Sequence, residues 1–170
     1  MAYRNANEMI VGLRSPLSNR TTGNALYYVV NNVANFLPGA NWNGEAAGIG
    51  GVQQLNLNGQ GFRSIQWVPT LNGGAGAYLI IGGPSNGGPL NAETGREKFT
   101  LYQWGGPGTQ PVVRIDDLRP YTQRPEGVNI ITLTVNNVPQ ERVIFVEDRY
   151  QAQGYGTRNA IHWPKSILLE

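Results

Sequence analysis

Cysteine is missing from all 170 residues, which excludes disulfides, thiol nucleophiles and thiolate metal sites together. Histidine occurs once, as His162 beside Trp163 and Pro164. A transition-metal site would therefore rest on carboxylates, and a serine triad on that single ring. Charge is scarce: the 13 basic residues are all arginine except Lys98 and Lys165, they form no run, and the net charge is +2. Nucleic-acid binding needs a clustered basic stripe, so no nucleic-acid partner is expected. No stretch approaches the roughly 18 apolar residues of a membrane span. The opening MAYRNANE has neither the basic start nor the apolar run of a signal peptide. The chain reads as soluble; its compartment stays open, periplasmic or extracellular if the chain is a fragment. Asn19-Arg20-Thr21 fits a glycosylation sequon, a pattern too common by chance to decide anything.

Glycine and proline are plentiful, 23 and 11 residues or a fifth of the chain. That exceeds the average of about 12% but stays short of the level that signals disorder, and it favours many strands joined by many turns. The length suits one domain with a substantial core. The organising stretch runs from Gly61 to Asp117 and reads as four short strands: GFRSIQWV, AYLII, KFTLYQW and VVRIDD. In KFTLYQW, Phe99 and Leu101 share one face and Thr100 and Tyr102 the other, the period of two of a pleated strand. Tyr78-Leu79-Ile80-Ile81 is apolar on both faces, which suits a strand sandwiched between packed sheets. Asn72-Gly73-Gly74 before it and Gly82-Gly83-Pro84 after it carry turn chemistry.

Upstream, MIVGL resembles the second strand of that unit, and nothing before it reads as a first strand. The passage NALYYVVNNVANFL supports two readings. Leu26, Val30, Val33 and Leu37 recur at helical spacing, with Asn24 as a cap and Pro38-Gly39 as a stop. Tyr27-Tyr28-Val29-Val30 is a dense β-forming cluster, and a strand ending near Asn31-Asn32 is the favoured reading. Residues 38–51 read as loop, with Trp42 as an anchor. GVQQLNLNG then alternates as a strand. Beyond Asp117, VNIITLTV and RVIFVED form two strands joined by a turn at Asn136-Asn137, and the tail offers further strands around Ala160 to Trp163 and Ile167 to Leu169.

These pieces align as a repeat. Arg63-Ser64-Ile65 opens one unit where Glu126-Gly127-Val128 opens the next, and MIVGL, AYLII and RVIFV hold the same place in three successive units. The spacing of roughly 65–70 residues exceeds the 40–50 of common propeller repeats, the excess lying in glycine-rich insertions. The expected architecture is all-β: a single domain of four-stranded antiparallel blades in units 1–58, 59–118 and 119–170, a partial propeller of about two and a half blades counting three, four and two strands.

GLRSPL, NALYYV, GFRSIQW, YLIIGGP, FTLYQW, RPEGV and VIFVEDR, in that order from Met9 to about Arg149, resemble the blade motifs of a family of uncharacterised bacterial proteins. That family is a domain of unknown function with a β-propeller fold, distantly phytase-like and esterase-like. Its members are about twice this long, so the resemblance is to a C-terminal half. It implies architecture and little chemistry.

In a propeller the inner strands line the axis, so Glu126 and its counterpart Arg63 would sit at a channel mouth. Related propellers place ligand-binding or calcium-binding groups there. Glu126 and Asp148 are the candidate oxygen ligands for a hard cation such as calcium. Arg14, Arg63, Arg124 and Arg149 are candidates for holding an anionic ligand through bidentate contacts. Against both stands the plainer reading that Glu126 pairs with Arg63 or Arg124 and pins blades together. The glycine clusters at 48–51 and 73–76 lack the strand-then-helix context of a phosphate loop and read as turns. No GxSxG elbow is present. Three classes of function follow: a self-assembling structural or ligand-binding module that closes a propeller ring as a homo-oligomer; a calcium-assisted phosphoesterase or esterase-like hydrolase; or a fragment without activity of its own.

Overall fold

The computed structural model describes residues 1–5, 7–19, 23–36, 48–84, 99–109, 112–118, 125–149 and 158–162. Among them every regular element longer than a single helical turn is a strand, and every strand pairing is antiparallel. In chain order the strands are β1 (Ala2–Asn5), β2 (Glu8–Gly12), β3 (Ala25–Asn31), β4 (Gln53–Leu55), β5 (Gly61–Val68), β6 (Ala77–Gly83), β7 (Thr100–Trp104), β8 (Val113–Asp117), β9 (Pro125–Val135), β10 (Val138–Arg149) and β11 (Arg158–His162). They form three meanders, β1-β2-β3-β4, β5-β6-β7-β8 and β9-β10-β11.

The passage with two readings is resolved as the strand β3, which ends at Asn31 before Asn32 takes a positive φ of 56° and a short 3-10 turn follows at Val33–Phe36. One expectation needs correction. Ala2–Asn5 does supply a first strand, pairing with β2 from Ala2↔Ile10 to Asn5↔Glu8, so the first sheet has four strands rather than three. The further strand expected in the tail around Ala160 to Trp163 is found as β11, which pairs with β10 from Phe145↔His162 to Arg149↔Arg158 and gives the third sheet three strands among the described residues. β1 escapes a reading by pattern because only Ala2 of its four residues is buried, and its stability comes from pairing with β2. Trp42 and Ile167 to Leu169 lie outside the described residues.

The three sheets stack face to face with the middle one buried on both sides. All seven residues of β6 are buried. Tyr78 and Ile80 face the first sheet in a core with Ile10, Tyr27, Leu57, Phe62, Tyr102 and Trp104. Leu79 and Ile81 face the third sheet with Phe99, Leu101, Leu118, Val143 and Phe145. Each such side chain contributes roughly 1.5–3 kcal/mol by leaving water. The first interface is aromatic: Tyr27 meets Trp104 edge-on at 5.1 Å and Tyr78 meets Trp67 at 4.8 Å between ring centroids. Neighbouring sheets approach most closely along their first strands, β5 lying against β1, β2 and β3, and β9 against β5 and β6. MIVGL, AYLII and RVIFV fall in the second strand of each sheet.

Turn chemistry sets the hairpins. Gly73, Gly74 and Gly76 take positive φ between β5 and β6, as a turn requires. Asn136 and Asn137 take φ of 52° and 62° between Val135 and Val138, the two-residue hairpin turn whose twist matches its strands. At Gly61 the constraint is space rather than φ. A β-carbon there would lie 2.1 Å from the Arg14 carbonyl oxygen, next to the bond from the Phe62 amide to the Leu13 carbonyl that ties β5 to the first sheet. Gly61→Ala is therefore expected to cost about 1–3 kcal/mol as the sheets are forced apart. Gly51→Ala, in open space, should change stability by no more than about 0.5 kcal/mol. Urea unfolding of both variants checks the contrast.

Candidate functional site

β5 and β9, the first strands of the second and third sheets, lie side by side and bring Arg63 and Glu126 together. The Arg63 guanidinium donates to the Glu126 carboxylate at 2.7 Å. Its side chain is only 4% exposed and that of Glu126 is 39% exposed, so the pair spans from the sheet interface to solvent. Arg63 also lies over the Phe99 ring, 5.3 Å from its centroid, an arrangement that favours a planar cation. One strand position further on, the Val128 amide donates to Ser64 Oγ at 3.2 Å, a second link between the same two strands.

Among the described residues, Arg63 is the candidate anion-holding arginine found at this junction. Arg14 follows β2, with its backbone against Gly61 and its residue surface exposed. Arg124 lies outside the described residues. Asp148 and Arg149 fall in β10, opposite Asn159 and Arg158 of β11, and their side chains lie outside the described residues. Among the described residues no group of three or more histidines and carboxylates comes together. What the geometry does at Glu126 is ion pairing. A cation bound there would have to compete with the guanidinium already bonded to that carboxylate.

A second polar cluster ties the first and second sheets and was not singled out from the sequence. Glu8 on β2 is 3.6 Å from the Arg4 guanidinium on β1 and accepts a 3.4 Å hydrogen bond from the Tyr78 hydroxyl on β6. Arg4 in turn lies over Trp67, 5.1 Å from the ring centroid. Burial, then the charge of Glu8, pushes the Tyr78 phenol well above its ordinary range, with Arg4 opposing. Deeper in the interface, Tyr102 donates to Gln60 Oε1 at 2.9 Å, and its hydroxyl also meets the Leu57 carbonyl at 3.1 Å. The available signal was that a buried tyrosine needs a partner for its hydroxyl. Sequence spacing cannot name that partner, since Glu8 and Tyr78 are 70 residues apart.

The first measurable consequence concerns Glu126. Glu126→Ala removes the carboxylate bonded to the nearly buried Arg63 guanidinium and is expected to cost about 1–3 kcal/mol. Water at the half-exposed Glu126 position keeps this below the roughly 3–5 kcal/mol of a fully buried broken pair. Glu126→Gln keeps an acceptor and should cost less, and denaturant midpoints of the two variants test the order. The second concerns alkaline pH. Tyr78 is held protonated in the folded chain, so its contribution is fully present below the ordinary tyrosine value of about 10 and is lost as pH rises above it. The slope for one such group reaches about 1.4 kcal/mol per pH unit. Tyr78→Phe should flatten part of this alkaline fall, and Tyr27, whose burial also raises its pKa, contributes in the same direction. Unfolding free energies measured from neutral to strongly alkaline pH decide it.

Compared with known proteins, the chain matches no family model, no curated protein and no solved structure.

Proposed function

We propose that this chain is a self-assembling β-propeller-type module, structural or ligand-binding rather than catalytic, whose three sheets are blades of a ring completed by a second copy. The observation that carries the reading is the way the sheets stack. Each meets the next chiefly along its first strand, so the layers converge on one edge, and layers that converge on one edge rotate about it as they accumulate. Convergence of β1, β5 and β9 supports taking that edge as a ring axis. Two copies would supply six sheets, within the range of four to eight blades that closes a propeller.

Support for a scaffold over a catalyst comes from the polar groups at the converging edge. Arg63 and Glu126 are bonded to each other, and Glu8 is bonded to Tyr78 and paired with Arg4. The runner-up, a calcium-assisted phosphoesterase or esterase-like hydrolase using Glu126 and Asp148, has a guanidinium where its cation would bind.

Sedimentation velocity across the micromolar range is expected to show a dimer, and a monomer at every concentration would overturn the reading. Calcium and a chelator should leave the thermal midpoint unchanged. A stoichiometric calcium-dependent rise abolished by Glu126→Gln would favour the hydrolase instead.

A further inference from the structure

In an antiparallel sheet with one wet face, the alternation runs apolar toward the core and polar toward water. The third sheet departs from this over the outer half of its long β9-β10 hairpin. Register places Thr132, Thr134, Pro139 and Glu141 on the side that faces the second sheet. The side facing away from it carries Ile131, Leu133, Val138, Ile144 and Val146, with the polar Asn129, Gln140 and Arg142 among them and Arg142 bonded to Gln140. Leu133, Val138 and Val146 are 37%, 55% and 40% exposed, so the apolar part of this mixed outward face is in contact with solvent. The opposite end of the stack has a matching surface. On the first sheet, Tyr3, Met9, Val11 and Tyr28 share the face turned away from the second sheet, with Tyr3 52% exposed and the others half-buried, while Val30 on the same face is already buried within the chain.

We infer that these two faces are partners: the outer face of the third sheet docks on the outer face of the first sheet of a second copy, head to tail. The inference rests on the self-assembly reading and specifies its interface. The occupant follows from continuity with the two interfaces inside the chain. At both, a sheet's far face receives the near face of the sheet that follows it, aromatic and aliphatic side chains meeting along first and second strands. Setting the first sheet of another copy on the third sheet repeats that step with no new kind of contact. A head-to-tail contact of this sort closes into a ring when its rotation divides the circle and grows into a filament when it does not. Pairing of two first-sheet faces, or of two third-sheet faces, would instead reverse the stacking direction at the junction.

The absence of cysteine makes the test clean. Tyr3→Cys and Val146→Cys chains, each substituted at a half-exposed position, are prepared separately and mixed, then treated with a short bis-maleimide. Head-to-tail docking gives covalent dimers in the mixture and none in either variant alone. Covalent dimers from one variant alone would mean like faces meet, and would overturn this inference while self-assembly stands. Oligomers that never cross-link in the mixture would overturn it as well, and a monomer would overturn both readings together. In parallel, Leu133→Asp combined with Val146→Glu is expected to weaken self-association at least about tenfold, as loss of well-packed interface side chains does. Both sites already tolerate water, and an unchanged circular dichroism spectrum verifies folding. Val113→Asp, on the exposed β8 strand, should leave association unchanged. Unaltered association of the Leu133→Asp, Val146→Glu chain would remove the third-sheet face from the interface.

Discussion

The two-sided burial of β6 constrains everything around it. A strand reading Ala-Tyr-Leu-Ile-Ile-Gly-Gly with no exposed position cannot sit at a surface, so the second sheet must be a middle layer and needs a cover on each face. The first and third sheets supply those covers. Tyr78 and Ile80 fix what the first must present, and Leu79 and Ile81 fix what the third must present. The difference between the interfaces follows. The first takes the ring-rich face of β6 and β7 with Ile10 and Tyr27, while the third takes the aliphatic face with Val143 and Phe145.

Apolar layers slide easily, and the polar contacts at the converging edge supply register. Such contacts are found at both interfaces, Glu8 with Tyr78 and Arg4 at the first and Arg63 with Glu126 at the second. Their net stabilisation is modest, because desolvating Arg63 costs much of what the ion pair returns. Misplacement is more expensive. A sheet shifted by one residue would leave the Arg63 charge facing Phe99 without its carboxylate, and would turn every apolar residue of that strand to the wrong face. These pairs therefore align one sheet on the next.

Much of the fold was legible because buried antiparallel strands write a strong pattern. GFRSIQWV coincides with β5, and the division of Phe99 and Leu101 from Tyr102 holds, the former packing toward the third sheet and the latter toward the first. The conflict at β3 has a physical origin. Tyr27 faces the second sheet while Val30 is buried on the other face beside Val33, so both faces are apolar, and a strand apolar on both faces offers residues at every spacing, including the helical one. The pairing of Arg63 with Glu126 was partly legible, since aligning the units put them at matching positions. Glu8 with Tyr78 was not, because the hydroxyl announces a need and not a partner. β1 was missed because its pattern is polar and its pairing with β2 supplies the order that its own side chains do not.

The same rule of alternation that makes the core legible bears on the ends of the stack. Polar residues on the covered side of the β9-β10 hairpin cannot be explained by contact with the second sheet, which extends only as far as the shorter strands β5 and β6 reach. On the other side Leu133, Val138 and Val146 are apolar and half-exposed, interspersed with Gln140 and Arg142, and solvent does not explain them. Both make sense together if the hairpin reaches past its own stack, its polar side turned to water and its apolar side laid against a neighbouring layer. A sheet that arrived from the other direction would meet the threonines instead. On the self-assembly reading, this distribution favours a partner on the outer face over one on the edge.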